Sequence, residues 1–135
     1  MISNSIQFRI RYSETDQMSF AYHGNYVQYL EMGRIELLRE IGIPYKEVEA
    51  SGIILPVIDL NIKYLKSANY DDLITLETTL VKLPTVKIEF TYKLFNEKKE
   101  LITTASTTLA FLKTESKRPT RVPKDFLDKI LKITR

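Results

Sequence analysis

The stretch "RYSETDQMSFAYHGNYVQYLEMGRIE", Arg11–Glu36, contains the change of period that decides the fold. Just upstream, "SIQFRIRY" alternates. Ile6, Phe8, Ile10 and Tyr12 point one way and polar residues the other, the pattern of a half-buried strand. Ser13 to Gly24 is polar and turn-prone. From Asn25 the period becomes helical, with Tyr26, Leu30, Gly33, Leu37 and Ile41 on one side. Asn25 suits an N-cap and Gln28 stands three residues later, as in a capping box; Gly42 and Pro44 supply the stop. A helix of about four turns is expected over 25–41. Gly33 in its middle costs about 1 kcal/mol relative to alanine, so a close approach to another element is expected there.

Working outward, 45–51 reads as a short helical turn, and the chain then becomes rich in Val, Ile, Thr, Phe and Tyr. Residues 57–66 alternate through Ile58, Leu60, Ile62 and Tyr64, and three further strands are expected over 73–83, 86–95 and 101–113. The connections "SANYDD", "PT" and "NEKKE" are short, which implies antiparallel neighbours. Asp71 and Asp72 read as turn residues. "KDFLDKILKI" closes the chain as an amphipathic helix with Phe126, Leu127, Ile130 and Leu131 on one side. The order is strand, long helix, four strands, terminal helix. It specifies an α+β chain in which one long helix covers one face of a five-stranded antiparallel sheet, and a remaining face or edge needs a partner. No repeat or linker divides the 135 residues, so 1–135 is expected to be one domain.

Composition narrows the chemistry. Without cysteine, disulfides, thiolate metal sites and cysteine nucleophiles are excluded. With one histidine, a metal site would need carboxylates almost alone. The four glycines, Gly24, Gly33, Gly42 and Gly52, form no phosphate-binding loop. A net charge of +3 with scattered basic residues gives no nucleic-acid signature, and no apolar run approaches the length of a membrane span. A soluble, cytoplasmic protein is expected.

Asp16, His23 and the helix start remain. A helix N-terminus presents unpaired N–H groups and partial positive charge, which can polarise a carbonyl and hold an oxyanion. A nearby carboxylate could attack that carbonyl or activate water. The competing reading makes Asp16 an Asx-turn residue and His23 an exposed residue before the helix.

At these positions the sequence resembles the hotdog-fold acyl-CoA thioesterases of the 4-hydroxybenzoyl-CoA thioesterase type, a family that includes the thioesterase associated with the Tol-Pal system. The resemblance is carried by Tyr12, Thr15, Asp16, His23, Asn25, Tyr26, Glu31 and Arg34, supported by "LPVIDLNIKYLKSANYDDLITLET", and spans about residues 5–115. It implies a hotdog fold, with the sheet wrapped around the long helix, and hydrolysis of acyl-CoA without metal or other cofactor. It also implies self-association into a homodimer or homotetramer with sites at the subunit interface. Asp16 would be the catalytic carboxylate, as nucleophile or general base. The backbone N–H at or near His23 would contact the oxyanion, with the His23 side chain orienting water or the carboxylate. Tyr22, Gly24, Asn25, Tyr26 and Glu31 form the expected substrate-contacting set. Where the family usually has glycine in the turn after the aspartate, this chain has Ser19, which can adopt a left-handed turn only at a cost.

Each of these residues also has a simpler reading. Glu31 and Arg34, spaced i, i+3, suit an ion pair. Tyr26 suits the core, although Tyr22, Tyr26 and Tyr29 could line an acyl slot. Lys63, Lys66, Arg118 and Arg121 could meet the phosphates of coenzyme A or simply be solvated charges. A hotdog hydratase or dehydratase, and a non-catalytic acyl-binding module, are the alternatives in function.

Overall fold

In a computed structural model, which describes residues 2–134, the β-rich runs pair into one antiparallel sheet. Its strands are β1 (Ile2–Arg9), β3 (Val57–Tyr64), β4 (Leu73–Leu80), β5 (Lys87–Phe95) and β6 (Leu101–Ala110), in the spatial order β1-β4-β5-β6-β3. Two short strands, β2 (Ile53–Ile54) and β7 (Leu112–Lys113), pair separately. The expected strand over 101–113 therefore divides at the fully buried Phe111. The long helix α1 spans Tyr26–Glu40, α2 spans Tyr45–Ala50 and α3 spans Lys124–Thr134.

Alternation along β4 and β5 sends Ile74, Leu76, Thr78 and Leu80, then Ile88, Phe90, Tyr92 and Leu94, into the core. Opposite them, α1 buries Tyr26, Tyr29, Leu30, Leu37 and Leu38. Each large apolar side chain buried this way stabilises the fold by roughly 1.5–3 kcal/mol. The helix packs on β1 and β4, and Gly33 lets it approach. A Cβ at that position would stand 2.9 Å from Leu76 Cδ2 and closer still to Thr78 Oγ1. The helix ends as expected: Gly42 is left-handed at φ +88 and its N–H donates to the Arg39 carbonyl. Lys129 of α3 then donates its ammonium to the Gly42 carbonyl at 2.7 Å. Phe126 of α3 stands edge-on to Phe111, with ring centroids 5.4 Å apart.

Three expectations need correction. Tyr12 does not continue the face of Ile6, Phe8 and Ile10. The strand stops at Arg9, residues 12–14 form a 3-10 turn, and Tyr12 is 77% exposed against Tyr70. Asn25 stands at the N-cap position of α1 but makes no capping bond: its backbone is already helical, because a 3-10 turn over His23–Asn25, with Tyr22 before it, leads into the helix. Strand β3 is not half-buried. It lies at the sheet edge, where α1 meets it only in part, and exposes Val57, Ile58, Leu60 and Tyr64 from both of its faces. Elsewhere the turn assignments hold. Asp71 is left-handed at φ +67, Asp72 accepts the Asn69 N–H, and Lys99 takes the left-handed position of the glycine-free "NEKKE" hairpin. The order and pairing of elements are those of the hotdog fold.

Candidate active site

The polar segment before α1 folds into a compact double turn because it satisfies its own backbone. In the 3-10 turn, the buried Glu14 accepts the Arg11 N–H at 2.8 Å and the Tyr29 hydroxyl at 3.0 Å through Oε1, while Oε2 takes the Arg11 guanidinium. Burial, with the Glu14 carboxylate second, pushes the Tyr29 phenol well above its usual range. Thr15 and Ala21 then pair as an antiparallel bridge, and the chain between them reverses with Ser19 at φ +68. The left-handed conformation anticipated at this serine is therefore present.

Asp16 starts that reversal. Its Oδ1 accepts the Met18 N–H at 2.9 Å and the Phe20 N–H at 3.3 Å, an Asx-type turn. Its Oδ2 has no hydrogen-bond partner among the described residues. The turn reading and the reactive reading are thus compatible: one oxygen holds the loop and the other stays available. The loop is docked onto the chain after β3 by the Ala21 N–H, which donates to the Ala68 carbonyl at 2.7 Å.

Tyr22 N–H donates to the Glu14 carbonyl at 2.8 Å, and the Asn25 side chain donates to the same oxygen at 2.8 Å. Asn25 therefore locks the helix mouth against the upstream turn. The mouth itself begins at His23, whose carbonyl accepts the Tyr26 N–H. The N–H groups of His23 and Gly24, the first of this helical start, have no acceptor within it.

Asp16, His23 and Tyr26 meet in one open pocket of about 260 Å³, lined also by Phe20, Ala21, Tyr64, Leu65, Lys66 and Ser67. Of the expected substrate-contacting set, only Tyr26 lines it, and burial raises the pKa of that phenol. Gly24 and Asn25 lie in the turn beside it, and the half-exposed Tyr22 ring packs on the His23 imidazole at 4.4 Å. Tyr29 is in the core and lines no slot.

Glu31 lies apart. It opens with Arg34, Leu38, Tyr45, Leu55, Val57 and Leu109 on a second cavity of about 390 Å³. No Glu31–Arg34 ion pair occurs among the described residues. Arg34 is instead drawn inward, where its guanidinium donates to the Tyr92 hydroxyl at 3.4 Å, a group also bonded to Thr107 at 2.6 Å. Of the basic candidates, Lys66 lines the Asp16 pocket and pairs with Glu100. Hydrogen bonds from Lys66 and Asn96 hold the Glu100 carboxyl below its usual range. Lys63, Arg118 and Arg121 are exposed and line neither cavity.

Sequence reasoning missed Glu14 and passed over the part played by Tyr64. Glu14 has a visible signal, an acid three residues after Arg11 in a turn-prone stretch. Tyr64 has none, being distant in sequence from everything it touches here.

This chain can be set beside known proteins on these grounds. YneP of Bacillus subtilis (strain 168), provisionally named an acyl-CoA thioesterase, is 33% identical over 122 residues, 90% of this chain and 88% of that protein. The acyl-CoA thioester hydrolase YbgC of Escherichia coli O6:H1 is 24% identical over 88% of this chain and 89% of its own length. Among solved structures, DHNA-CoA thioesterase from Staphylococcus aureus superposes with a TM-score of 0.93 at 36% identity, covering 99% of this chain and 92% of that one. The profile of the thioesterase-like superfamily matches residues 10–130. With that match over most of its length, the chain belongs to the thioesterase-like superfamily.

Proposed function

We propose that the chain hydrolyses acyl-CoA thioesters in the Asp16 pocket, with Asp16 as the catalytic carboxylate. The observation that carries this reading is the partition of the Asp16 oxygens. Oδ1 is held by two backbone N–H groups and Oδ2 has no partner among the described residues, beside a helix start whose first N–H groups have no acceptor within the helix. As nucleophile, Oδ2 would add to the thioester carbonyl carbon; as general base, it would take a proton from the water that adds. In either case the carbonyl electrons move onto oxygen, where the N–H groups of His23 or Gly24 are suited to receive the charge. As the carbonyl re-forms, the C–S electrons leave with the thiolate of coenzyme A, which takes up a proton; in the nucleophilic route water then cleaves the mixed anhydride on Asp16, which frees the acid and restores the carboxylate. The His23 imidazole, exposed and packed on Tyr22, suits orientation of water more than proton abstraction. The resemblance to YneP and YbgC favours hydrolysis over hydration.

Self-association as a homodimer or homotetramer belongs to the same proposal. Its support is the edge strand β3, which has a neighbour on one side only among the described residues and exposes Val57, Ile58 and Leu60. A cytoplasmic location fits a substrate of this class, since CoA esters are intracellular metabolites.

Asp16→Asn tests the assignment. The amide oxygen can keep both N–H bonds of Oδ1 while the NH₂ group replaces Oδ2, so the loop survives and the reactive oxygen does not. With acetyl-, palmitoyl- and benzoyl-CoA assayed by release of free thiol, kcat should fall by roughly 10²–10⁴ with the melting temperature unchanged. Turnover like that of the wild type removes Asp16 from the reaction.

A further inference from the structure

Tyr64 ends the edge strand β3 and reaches the start of α1, 41 residues away in sequence from His23. Its hydroxyl donates to the His23 carbonyl at 2.9 Å. Its ring stands edge-on to Tyr26 at 4.9 Å and to His23 at 6.3 Å. The carbonyl it holds has no proton to exchange and already accepts the Tyr26 N–H, so this contact is not acid–base chemistry. Burial raises the Tyr64 pKa, which keeps the phenol protonated and donating.

The His23 carbonyl belongs to the peptide unit whose other end is the Gly24 N–H. That unit is trans and planar, so its C=O and N–H point in opposite directions, and fixing one aims the other. A second donor on the oxygen also polarises the unit and strengthens its N–H as a donor. We propose that Tyr64 is a positioning residue for the reaction: by holding the His23 carbonyl, it aims and polarises the Gly24 N–H, one of the two N–H groups suited to receive the oxyanion. This rests on the assignment of the Asp16 pocket as the site of acyl transfer.

Tyr64→Phe isolates the hydroxyl, since the half-exposed ring keeps its packing. In the full-length protein, with acetyl-, palmitoyl- and benzoyl-CoA, kcat should fall about fivefold to tenfold, the equivalent of one hydrogen bond. KM should stay at its wild-type value, and the melting temperature should fall by no more than the few degrees that one exposed hydrogen bond supports. In isotope-labelled protein the Gly24 amide proton should move upfield, a readout independent of turnover. An unchanged kcat, an unmoved Gly24 resonance, or a loss carried by KM instead of kcat each overturns the proposal. Asp16→Asn is assayed beside it. Loss of activity there with wild-type kcat in Tyr64→Phe rejects the role of Tyr64 alone. Wild-type-like activity in Asp16→Asn rejects the site itself, and a Gly24 shift then marks Tyr64 as a purely structural tie.

Discussion

Replacing Gly33 with alanine places a methyl group between α1 and the sheet. The new Cβ would stand 2.9 Å from Leu76 Cδ2, about 0.6 Å inside the ~3.5 Å at which carbon atoms attract. Thr78 Oγ1 lies closer still, and both neighbours are fully buried on a central strand, so neither can swing aside. Relief must come from α1 lifting off β1 and β4. Overpacking of this kind costs about 1–3 kcal/mol, and two immobile contacts put this site in the upper part of that range. Alanine returns about 1 kcal/mol of helix propensity, which leaves a net loss of about 1–2 kcal/mol. For a chain of this length that corresponds to a fall in melting temperature of roughly 4–8 °C. Urea unfolding should show the same loss as a lower midpoint at an unchanged slope. Adding Thr78→Ala removes the nearer obstacle, so the double variant should lose less than the sum of the two single variants by about 1 kcal/mol. A Gly33→Ala protein as stable as the wild type, or more stable, would mean that propensity alone governs the position, and the close-approach argument fails.

Other substitutions probe the loop and the core. Ser19→Gly should raise stability by about 0.5–1 kcal/mol by relieving the left-handed backbone, read from thermal melts; a loss would show that the serine hydroxyl is needed there. Asn25→Asp discriminates between two accounts of the helix start. A capping role tolerates aspartate equally well, whereas the observed bond to the Glu14 carbonyl needs the amide donor and predicts a loss of about 1 kcal/mol or more. Tyr26, Tyr29 and Tyr92 all have pKa values raised chiefly by burial. A raised folded-state value contributes stability that is complete below the unfolded value of about 10 and is lost as pH climbs towards the folded values. The melting temperature should therefore fall above about pH 10, and Tyr92→Phe, lacking one buried phenol, should shallow that slope; identical slopes would contradict the burial argument.

The long helix and the strands were legible because each is written in the spacing of its own residues. Period 3.6 over 26–40 and period 2 over 73–80 need no knowledge of neighbours. Burial of a strand does need it. Residues 57–64 alternate much as 73–80 do, yet β4 lies beneath α1 and β3 lies at the edge, a difference set by topology. Asn25 shows the same limit at a single residue. Its spacing to Gln28 matches a capping box, and local sequence offers nothing against it. The competing partner, the Glu14 carbonyl, is 11 residues upstream and is brought near only when the 3-10 turn docks.

The same distinction sorts the site. Asp16, Ser19 and His23 lie within one contiguous stretch, so their association could be read before any fold was known. The Asx turn that holds Asp16 is local too, since its acceptor and both donors fall within four residues. What aims the helix mouth is not local. Tyr64 arrives from the far end of β3, and its place in the alternation suggested only one more strand residue. Local sequence can therefore name the groups that react, because reactive groups are chosen by type and by short loops. The groups that orient them are chosen by where the fold delivers a donor, and the edge strand that delivers Tyr64 is also the most exposed strand of the sheet. If two copies pair along β3, the tie from Tyr64 to the His23 carbonyl makes the helix mouth sensitive to that pairing.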